Sequence, residues 1–334
     1  MDHHGFQRLY IKPAQPNGVD PSPAAEPGGP LPSDLTNGTP KPKPNGLPVL
    51  SKRRTLTFES SDALLDFVTR NWRDRWVTTV IQTEAELDAF ARRPFFLLVA
   101  VDAPLTLRWK RSLARAARDP PAADDLEAFA GRSDAHLYDA ATGRLALMSR
   151  AAVRLVNTSP DLAHLYATLG KVDLLDGDRL RPSWDTYFMA LASLAARRSN
   201  CMKRRVGCVL VRANRVVSTG YNGTPRGLVN CGAGGCGRCN GGAGAGEGLA
   251  TCLCIHAEEN ALLEAGRERI RDGATLYCDT CPCLTCSIKI AQVGIQEVVY
   301  SQGYSMDRET AAVFREAGVR LRQFVPVSCP ADLP

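Results

Sequence analysis

Hydrophobic and polar positions alternate with two different periods along the second half of the chain. Runs rich in β-branched and aromatic residues, such as VGCVLVR (206–212) and RVVSTGYN (215–222), are typical of β-strands. Amphipathic segments with a helical pattern lie beside them, as in SWDTYFMALASLAARRS (183–199) and HAEENALLEAGR (256–267). The same patterns predict strands at 274–279, 297–301 and 319–324 and helices at 283–294 and 307–318. The predicted order is α-β-β-α-β-α-β-α-β, which indicates a single sheet flanked by helices.

The first half of the chain divides into two regions of different composition. Residues 12–48 are rich in Pro, Gly and Asn and can bury too little apolar surface to offset the entropy of ordering. We therefore predict that residues 1–48 are mostly disordered. Residues 49–180 alternate between strand-like runs, such as WVTTVI and FFLLVAVDA, and helical segments, which favours an α/β domain with a parallel sheet. A second domain then occupies residues 181–328.

Composition and charge exclude several classes of protein. The chain of 334 residues is 44% hydrophobic, which is normal for a globular protein with room for two domains. It contains no run of 18 apolar residues, so we expect no membrane contact, and its N-terminus does not resemble a secretory signal. The net charge of +6 suits an anionic ligand such as a phosphate but is too small to indicate a nucleic-acid partner. A cytoplasmic location is expected, with the nucleus as an alternative.

The cysteines and histidines are distributed unevenly. All 12 cysteines lie between Cys201 and Cys329, and His256 is the only one of the five histidines in that half of the chain. In a cytosolic protein, such clustering indicates metal binding or catalysis rather than disulfide formation.

Two short motifs in this region together predict a catalytic zinc site. His256 lies two residues before Glu258 at the start of one predicted helix, and Cys283 and Cys286 lie on the first turn of another, directly after Pro282. The helix dipole favours the thiolate form of both cysteines. One histidine and two cysteines leave a fourth tetrahedral position open, which is typical of catalytic zinc, and the carboxylate can then move a water proton. Either motif alone occurs by chance or in structural zinc and redox sites, but together they match the H-x-E…P-C-x-x-C pattern of zinc-dependent nucleobase deaminases.

Residues 184–326 resemble deoxycytidylate (dCMP) deaminases, and the fungal members most closely. The resemblance is carried by RSNCMKRRVGCVLV, GYNGTPRGLVNC, CLCIHAEENALLEAGR, ATLYCDTCPCLTCSIKI and GIQEVVYSQGY. It implies the cytidine-deaminase α/β sandwich, zinc held by His256, Cys283 and Cys286, and Glu258 as the proton shuttle. It further implies conversion of dCMP to dUMP and ammonia, and a hexamer that is activated by dCTP and inhibited by dTTP. A different cytosine or adenine substrate, such as cytidine or tRNA, and a non-catalytic zinc-binding module remain as alternatives.

The same resemblance suggests where nucleotides bind. In the stretch GYNGTP, the candidate contacts for substrate or effector are Tyr221, Asn222 and Gly223. Tyr304 resembles the base-contacting aromatic residue of the family, although an ordinary tyrosine at a strand end is the alternative. Within the basic triplet 203–205, Lys203 and Arg205 are candidates for binding the phosphate, and a solvated run of charge is the alternative.

A glycine-rich insertion predicts a second, structural zinc site. Cys236 and Cys239 have the spacing of a zinc knuckle, and we expect Cys231 to be a third ligand. For the fourth ligand the candidates are Cys254, Cys252 and Cys201, with Cys254 as the first choice. Related viral and bacterial dCMP deaminases resemble the chain in holding a structural zinc near this place, and reduced thiols without metal are the alternative.

Residues 49–180 weakly resemble the small P-loop nucleotide kinases through VDAPLTLRWKR and NTSPDLAHLY. The sequence contains no GxxxxGK[ST], so the backbone amides and lysine that hold phosphates in such kinases are missing. We therefore expect a degenerate domain with a structural or regulatory role, a truncated gene model being the alternative explanation. Fungal dCMP deaminases resemble the chain in carrying an N-terminal region of this kind.

Overall fold

The structure is a computed structural model that describes residues 6–11, 56–117, 125–244, 247–303 and 308–325. The segment 12–48, predicted to be disordered, and Tyr304 lie outside the described residues. The chain divides into two compact units, Met1–Phe96 with Trp109–Ala151 and Leu97–Arg108 with Ala152–Pro334. None of the described helices has the length and hydropathy that a membrane span requires.

The first half of the chain is built from short strands and helices in alternation. In chain order they are β1 (Gln7–Ile11), β2 (Leu56–Phe58), α1 (Ser61–Arg70), β3 (Trp76–Thr78), α2 (Glu84–Ala91), β4 (Val99–Asp102), α3 (Leu105–Ala116), α4 (Leu126–Tyr138), α5 (Leu145–Ser149), β5 (Val153–Val156) and α6 (Leu162–Val172). Side-chain caps begin several of these helices: the Ser60 side chain accepts from the Ala63 amide, and Thr83 and Glu86 form a capping box at α2.

The strands of this half pair in parallel, as the alternating pattern predicts, but they do not form one sheet. Within the described residues, β2, β1 and β3 form a three-stranded sheet in that order, and β4 pairs with β5 in a two-stranded one. The three-stranded sheet packs against α1 and α2 around a core that contains Leu9, Leu64 and Phe90.

The second half of the chain contains the elements that the sequence predicts, with a few short additions. They are α7 (Trp184–Ala196), β6 (Gly207–Arg212), β7 (Arg215–Tyr221), α8 (Gly237–Asn240), α9 (Ala257–Ala265), α10 (Arg267–Ile270), β8 (Ala274–Thr280), α11 (Leu284–Val293), β9 (Glu297–Gln302), α12 (Arg308–Glu316) and β10 (Arg320–Gln323). The strands form one sheet in the order β10-β9-β8-β6-β7, in which β6 is antiparallel to β7 and β8, and β8, β9 and β10 are parallel. The predicted mixed sheet flanked by helices is thus confirmed.

The pleat of β6 divides the core of this domain into two layers. Cys208 and Leu210 belong to the cluster formed with α9, α11 and α12, whereas Val209 and Val211 belong to the cluster formed with α7. Cys208 is fully buried.

Two glycines let the helices approach the β6–β7 hairpin closely. A Cβ at Gly207 would overlap the carbonyl oxygen of Ala192 in α7, and a Cβ at Gly220 would overlap the carbonyl oxygen of Ala257 in α9. Because Ala257 directly follows His256, the second contact fixes the start of α9 against the end of β7.

Candidate zinc site and active centre

The predicted zinc ligands lie where two helices begin. His256 is the N-cap residue of α9, with φ −80° and ψ 157°, and Cys283 is the N-cap residue of α11, with φ −78° and ψ 169°. Both residues have extended backbone, so each helix starts directly after its ligand. Cys286 lies in the first turn of α11 and is buried, whereas Cys283 is exposed. The sheet thereby brings together two ligand segments that are distant in the sequence.

The distances between the ligand atoms fit a tetrahedral zinc ion. His256 Nδ1 lies 3.4 Å from Cys283 Sγ and 3.4 Å from Cys286 Sγ. With bonds of about 2.0 Å to nitrogen and about 2.3 Å to sulfur, a tetrahedral zinc ion separates the two donors by about 3.5 Å. Among the described residues, the metal-ligating group at this place consists of these three side chains. Three protein ligands leave one coordination position for water or substrate.

The electrostatics of the three ligands favour metal binding. The hydrogen bond with Cys286, supported by His256, lowers the pKa of Cys283 to about 3. The same hydrogen bond and burial raise the pKa of Cys286. The hydrogen bond to Cys283 raises the pKa of His256. A thiolate beside an imidazole at the start of a helix is a donor set suited to a divalent cation.

Glu258 lies in the first turn of α9 with 4% of its surface exposed. Burial raises the pKa of this carboxyl group to about 7, partly offset by the positive charge of His256. Its neighbour Glu259 instead forms an ion pair with Lys289 at 2.7 Å. The two adjacent carboxylates therefore have different environments, since Glu258 is buried and Glu259 is paired with a lysine.

The loop after β7 is joined to the residue that precedes His256. Gly223 N donates to the Ile255 carbonyl at 3.2 Å, and Ile255 N donates to the Gly223 carbonyl at 3.0 Å. The side chain of Asn200 lies against Gly223 so closely that a Cβ at this glycine would overlap it, and its Oδ1 accepts from Thr224 N at 3.1 Å. Asn200 was not among the residues singled out by the sequence analysis, although it lies in the stretch RSNC.

The amide of Asn222 is used within the protein. Its Oδ1 accepts from Val206 N at 2.8 Å and from Ser199 Oγ at 2.7 Å, and its Nδ2 donates to the Arg204 carbonyl at 2.7 Å. The residue is 8% exposed. These bonds hold segment 199–206 beside the end of β7. The structure therefore gives this side chain a positioning role, while the carbonyl of Tyr221 accepts from Asn260 Nδ2 at 2.8 Å.

The basic residues proposed for phosphate binding differ from one another. Lys203 Nζ donates to the Gly244 carbonyl at 2.6 Å and also to the Ala243 carbonyl, so its ammonium group is bound to the glycine-rich insertion. Arg205 is exposed. Tyr304, the proposed base contact, lies outside the described residues.

Six cysteines of the insertion and its flanks form one cluster of thiols: Cys201, Cys231, Cys236, Cys239, Cys252 and Cys254. The four predicted ligands of the second zinc do not form one group. Cys231 groups with Cys201, whereas Cys236 groups with Cys252, and both groups also contain Cys239 and Cys254. The short helical turn that contains Cys231 ends at Gly234, whose φ of 91° reverses the chain before Cys236 and carries the two sulfurs to different groups.

Comparisons with known proteins agree with this site. The model of the cytidine and deoxycytidylate deaminase zinc-binding region matches residues 182–302. The deoxycytidylate deaminase of Schizosaccharomyces pombe is 53% identical over 271 residues, covering 81% of this chain and 83% of that protein. That of Saccharomyces cerevisiae is 47% identical over 277 residues, covering 80% of this chain and 86% of that protein.

Shorter relatives match a smaller part of the chain. The deoxycytidylate deaminase of Mycobacterium phage D29 is 46% identical over 125 residues, which are 36% of this chain and 95% of that protein. A crystal structure of the cyanophage S-TIM5 dCMP deaminase in complex with dCMP and dUMP has 30% sequence identity and a TM-score of 0.34, covering 41% of this chain and 94% of that chain. The two yeast alignments cover four-fifths of the sequence, and about half of the aligned positions are identical. The chain therefore belongs to the deoxycytidylate deaminase family.

Proposed function

We propose that the protein hydrolyses dCMP to dUMP and ammonia at a zinc ion held by His256, Cys283 and Cys286. The observation that carries this proposal is the buried carboxyl group of Glu258 beside a group of three ligands at tetrahedral distances. Four protein ligands would point to structural zinc, whereas three leave room for the reaction. The named activity of the yeast relatives supports dCMP as the substrate.

Glu258 is the proton carrier in this reaction. When bound, zinc supplies the Lewis acidity that activates the attacking water. The water oxygen bonds to C4 of cytosine and the C4–N4 bond breaks. The two water protons end on the ring nitrogen N3 and on the departing ammonia, and Glu258 moves each of them. A carboxyl group whose pKa burial raises to about 7 both accepts and returns a proton near neutral pH.

Recognition of the nucleotide is assigned to the segments around this centre. Tyr221 ends β7, and Gly223 belongs to the following loop that is bonded to Ile255, directly before His256, which supports a contact of this region with the substrate or an effector. The exposed Arg205 stays the candidate for the phosphate, because Lys203 is engaged by backbone carbonyls. Tyr304 remains a predicted base contact.

Regulation by dCTP and dTTP and assembly into a hexamer are part of the same proposal. They rest on the resemblance of the sequence to this family, as does a regulatory role for residues 49–180. Kinetics with each effector and the molar mass in solution test them. Every described cysteine is a free thiol, which supports a reducing compartment, the cytoplasm or the nucleus.

A second, structural zinc in the glycine-rich insertion is also proposed. Its support is that Cys239 and Cys254 lie close to two pairs of further sulfurs. One pair is Cys201 and Cys231, and the other is Cys236 and Cys252. Closed thiolate sites of this kind contribute to folding, because the binding energy is available only to the folded chain.

The experiment that tests the function compares Glu258→Gln with Glu259→Gln. General acid–base catalysis contributes about 10²–10⁴ in rate, and one carboxyl group serves two proton transfers here, so we expect Glu258→Gln to lose about 10³-fold or more in kcat with zinc retained. Glu259 lies in a surface ion pair, so its variant should keep activity near that of the parent.

Rates for dCMP, CMP, deoxycytidine and a tRNA anticodon loop identify the substrate. A preference for deoxycytidine or tRNA would replace dCMP in the proposal. If Glu258→Gln changed none of these rates, the site would instead be a zinc-binding module in which this residue has no catalytic role.

A further inference from the structure

The six cysteines of the insertion are arranged as two overlapping groups of four. One group contains Cys201 and Cys231, the other contains Cys236 and Cys252, and Cys239 and Cys254 belong to both. A single tetrahedral ion uses four thiolates, and two separate ions use eight. When two tetrahedral ions share two of their ligands, they use six thiolates in total, which is the number present here.

The distances between the sulfurs are those of ligands to common ions. Cys239 Sγ lies 3.8 Å from Cys201 Sγ, 3.8 Å from Cys252 Sγ and 3.9 Å from Cys254 Sγ, and Cys236 Sγ lies 4.0 Å from Cys252 Sγ. With zinc–sulfur bonds of about 2.3 Å, the edge of a tetrahedron is about 3.8 Å. A disulfide would bring its two sulfurs to about 2.05 Å. The cluster is therefore spaced for metal and not for covalent pairing.

We propose that the insertion holds a binuclear zinc cluster in which Cys239 and Cys254 bridge the two ions. Cys201 and Cys231 complete the first ion, and Cys236 and Cys252 complete the second. This inference deepens the single structural zinc proposed above, and it does not depend on the reaction at His256.

The charges favour two ions over one. A zinc ion with four thiolates carries a net charge of −2, and two zinc ions with six thiolates carry the same net charge. With only one ion, either Cys231 or Cys236 would bind no metal and would lie beside an anionic centre. Both side chains are fully buried. The second ion therefore binds two more thiolates without adding negative charge to the core.

Donors around the cluster offset the remaining charge. Met202 N donates to Cys231 Sγ at 3.4 Å, and Arg238 Nη1 donates to Cys252 Sγ at 3.7 Å. One donor thus lies beside a terminal ligand of each proposed ion. Bonds from N–H groups to sulfur orient the ligands and tune a thiolate site.

Apart from its cysteines, the described part of the insertion is held by hydrogen bonds rather than by an apolar core. Asn240 Nδ2 donates to the carbonyls of Cys231 and Cys236, both at 2.9 Å, which ties the turn of Cys231 to α8. The segment is rich in glycine and, besides its cysteines, contributes no side chain to the buried clusters of the domain. Metal binding then replaces the apolar core that this part of the described chain does not build.

The first measurement is the zinc content of the full-length protein purified under reducing conditions. We expect three zinc ions per chain, and two in Cys283→Ser, which removes a ligand of the catalytic ion. Cys201→Ser and Cys252→Ser each remove a terminal ligand and should lose one ion, whereas Cys239→Ser removes a shared ligand and should lose both ions of the cluster.

The second measurement needs no variant and covers the case in which these variants fail to fold. Replacement of zinc by ¹¹³Cd should give two cadmium resonances in the thiolate region that are coupled to each other through the shared sulfurs. Two uncoupled resonances would overturn the shared sulfurs, and two zinc ions per chain would overturn the pair and leave one structural ion. Copper, or iron with labile sulfide, would overturn zinc as the metal.

The failure of this inference is distinguishable from failure of the proposed function. Three zinc ions per chain in a protein without dCMP deamination would support the cluster and refute the reaction. One zinc ion per chain, with the six thiols open to alkylation, would refute both structural zinc proposals while leaving the deaminase chemistry intact.

Discussion

Replacement of Asn222 by alanine separates a positioning role from direct nucleotide binding. The sequence suggests a nucleotide contact, whereas the structure shows the amide bonded to Val206 N, Ser199 Oγ and the Arg204 carbonyl. If these bonds are the purpose of the side chain, its removal should lower stability first. If the amide contacts substrate, its removal should raise KM for dCMP and leave stability unchanged.

The magnitude follows from the groups that lose a partner. The Ser199 hydroxyl keeps a bond to the backbone carbonyl of Asn222 at 2.8 Å, so its loss is small. Val206 N and the Arg204 carbonyl each lose a bond in a half-buried position, at a cost of about 1–1.5 kcal/mol each. A total of about 3 kcal/mol lowers the melting temperature of a domain of this size by roughly 6–12 °C.

The assay is thermal unfolding of the zinc-loaded protein, together with steady-state deamination of dCMP. Ser199→Ala is the matched control, because it removes the hydroxyl that bonds the same amide and should lower the melting temperature by only about 2–4 °C. An unchanged melting temperature in Asn222→Ala, combined with a raised KM, would falsify the positioning role and restore the nucleotide contact.

Three further outcomes are expected. The hydrogen bond from Arg322 lowers the pKa of Asp185, so the stability from this pair is present above the unfolded-state pKa of about 3.9 and is lost as pH falls through the lower folded-state pKa. Asp185→Asn should therefore lower the melting temperature more at pH 7 than at pH 3, and an equal effect at both would contradict the ion pair. Gly220→Ala places a Cβ against the Ala257 carbonyl and should cost about 1–3 kcal/mol, measured by denaturant unfolding, whereas full stability would show that α9 is free to shift. A chelator should abolish deamination before the melting temperature falls, because the three-ligand site is open and the thiolate site is closed, and simultaneous loss would speak against two kinds of site.

The order of elements in the second half is encoded in local patterns and could be predicted. The turn between β6 and β7 is an example, since Ala213 and Asn214 both have positive φ, 47° and 58°, as a tight hairpin turn requires. Gly294 ends α11 with φ 83°, as its place after the helical pattern suggests.

Long-range pairing and strand limits in the first half could not be predicted in this way. The run FFLLVAVDA reads as one strand, but Phe96 N donates to the Arg93 carbonyl, so the run begins by continuing the turn after α2. Phe95 and Phe96 are apolar because they pack on the core around Phe90 rather than because they pair in a sheet. A hydrophobic pattern therefore predicts which residues are buried, but it does not predict which strands pair with each other.

The group formed by His256, Cys283 and Cys286 follows from two local motifs, each of which begins a helix. The grouping of the other cysteines does not, because it depends on how separate segments meet in space. The spacing of Cys231 and Cys236 suggests a common ion, and only the reversal at Gly234 shows otherwise. An amide such as that of Asn222 presents the same donor and acceptor to a backbone as to a nucleotide, so its partner cannot be read from its chemistry.

The segment Cys252–His256 contributes side chains to two different groups of possible metal ligands. In a pleated strand, residues two apart face the same side, which would place Cys254 and His256 at a common ion. The ends of this segment instead have φ −75° and ψ 121° at Cys252 and φ −80° and ψ 157° at His256, near polyproline II values. The thiol of Cys254 lies in the cysteine cluster, whereas the imidazole of His256 lies beside Cys283 and Cys286. Because Cys254 belongs to the cysteine cluster, the cluster holds the backbone two residues before His256. The glycine-rich insertion is thereby connected to the proposed active centre.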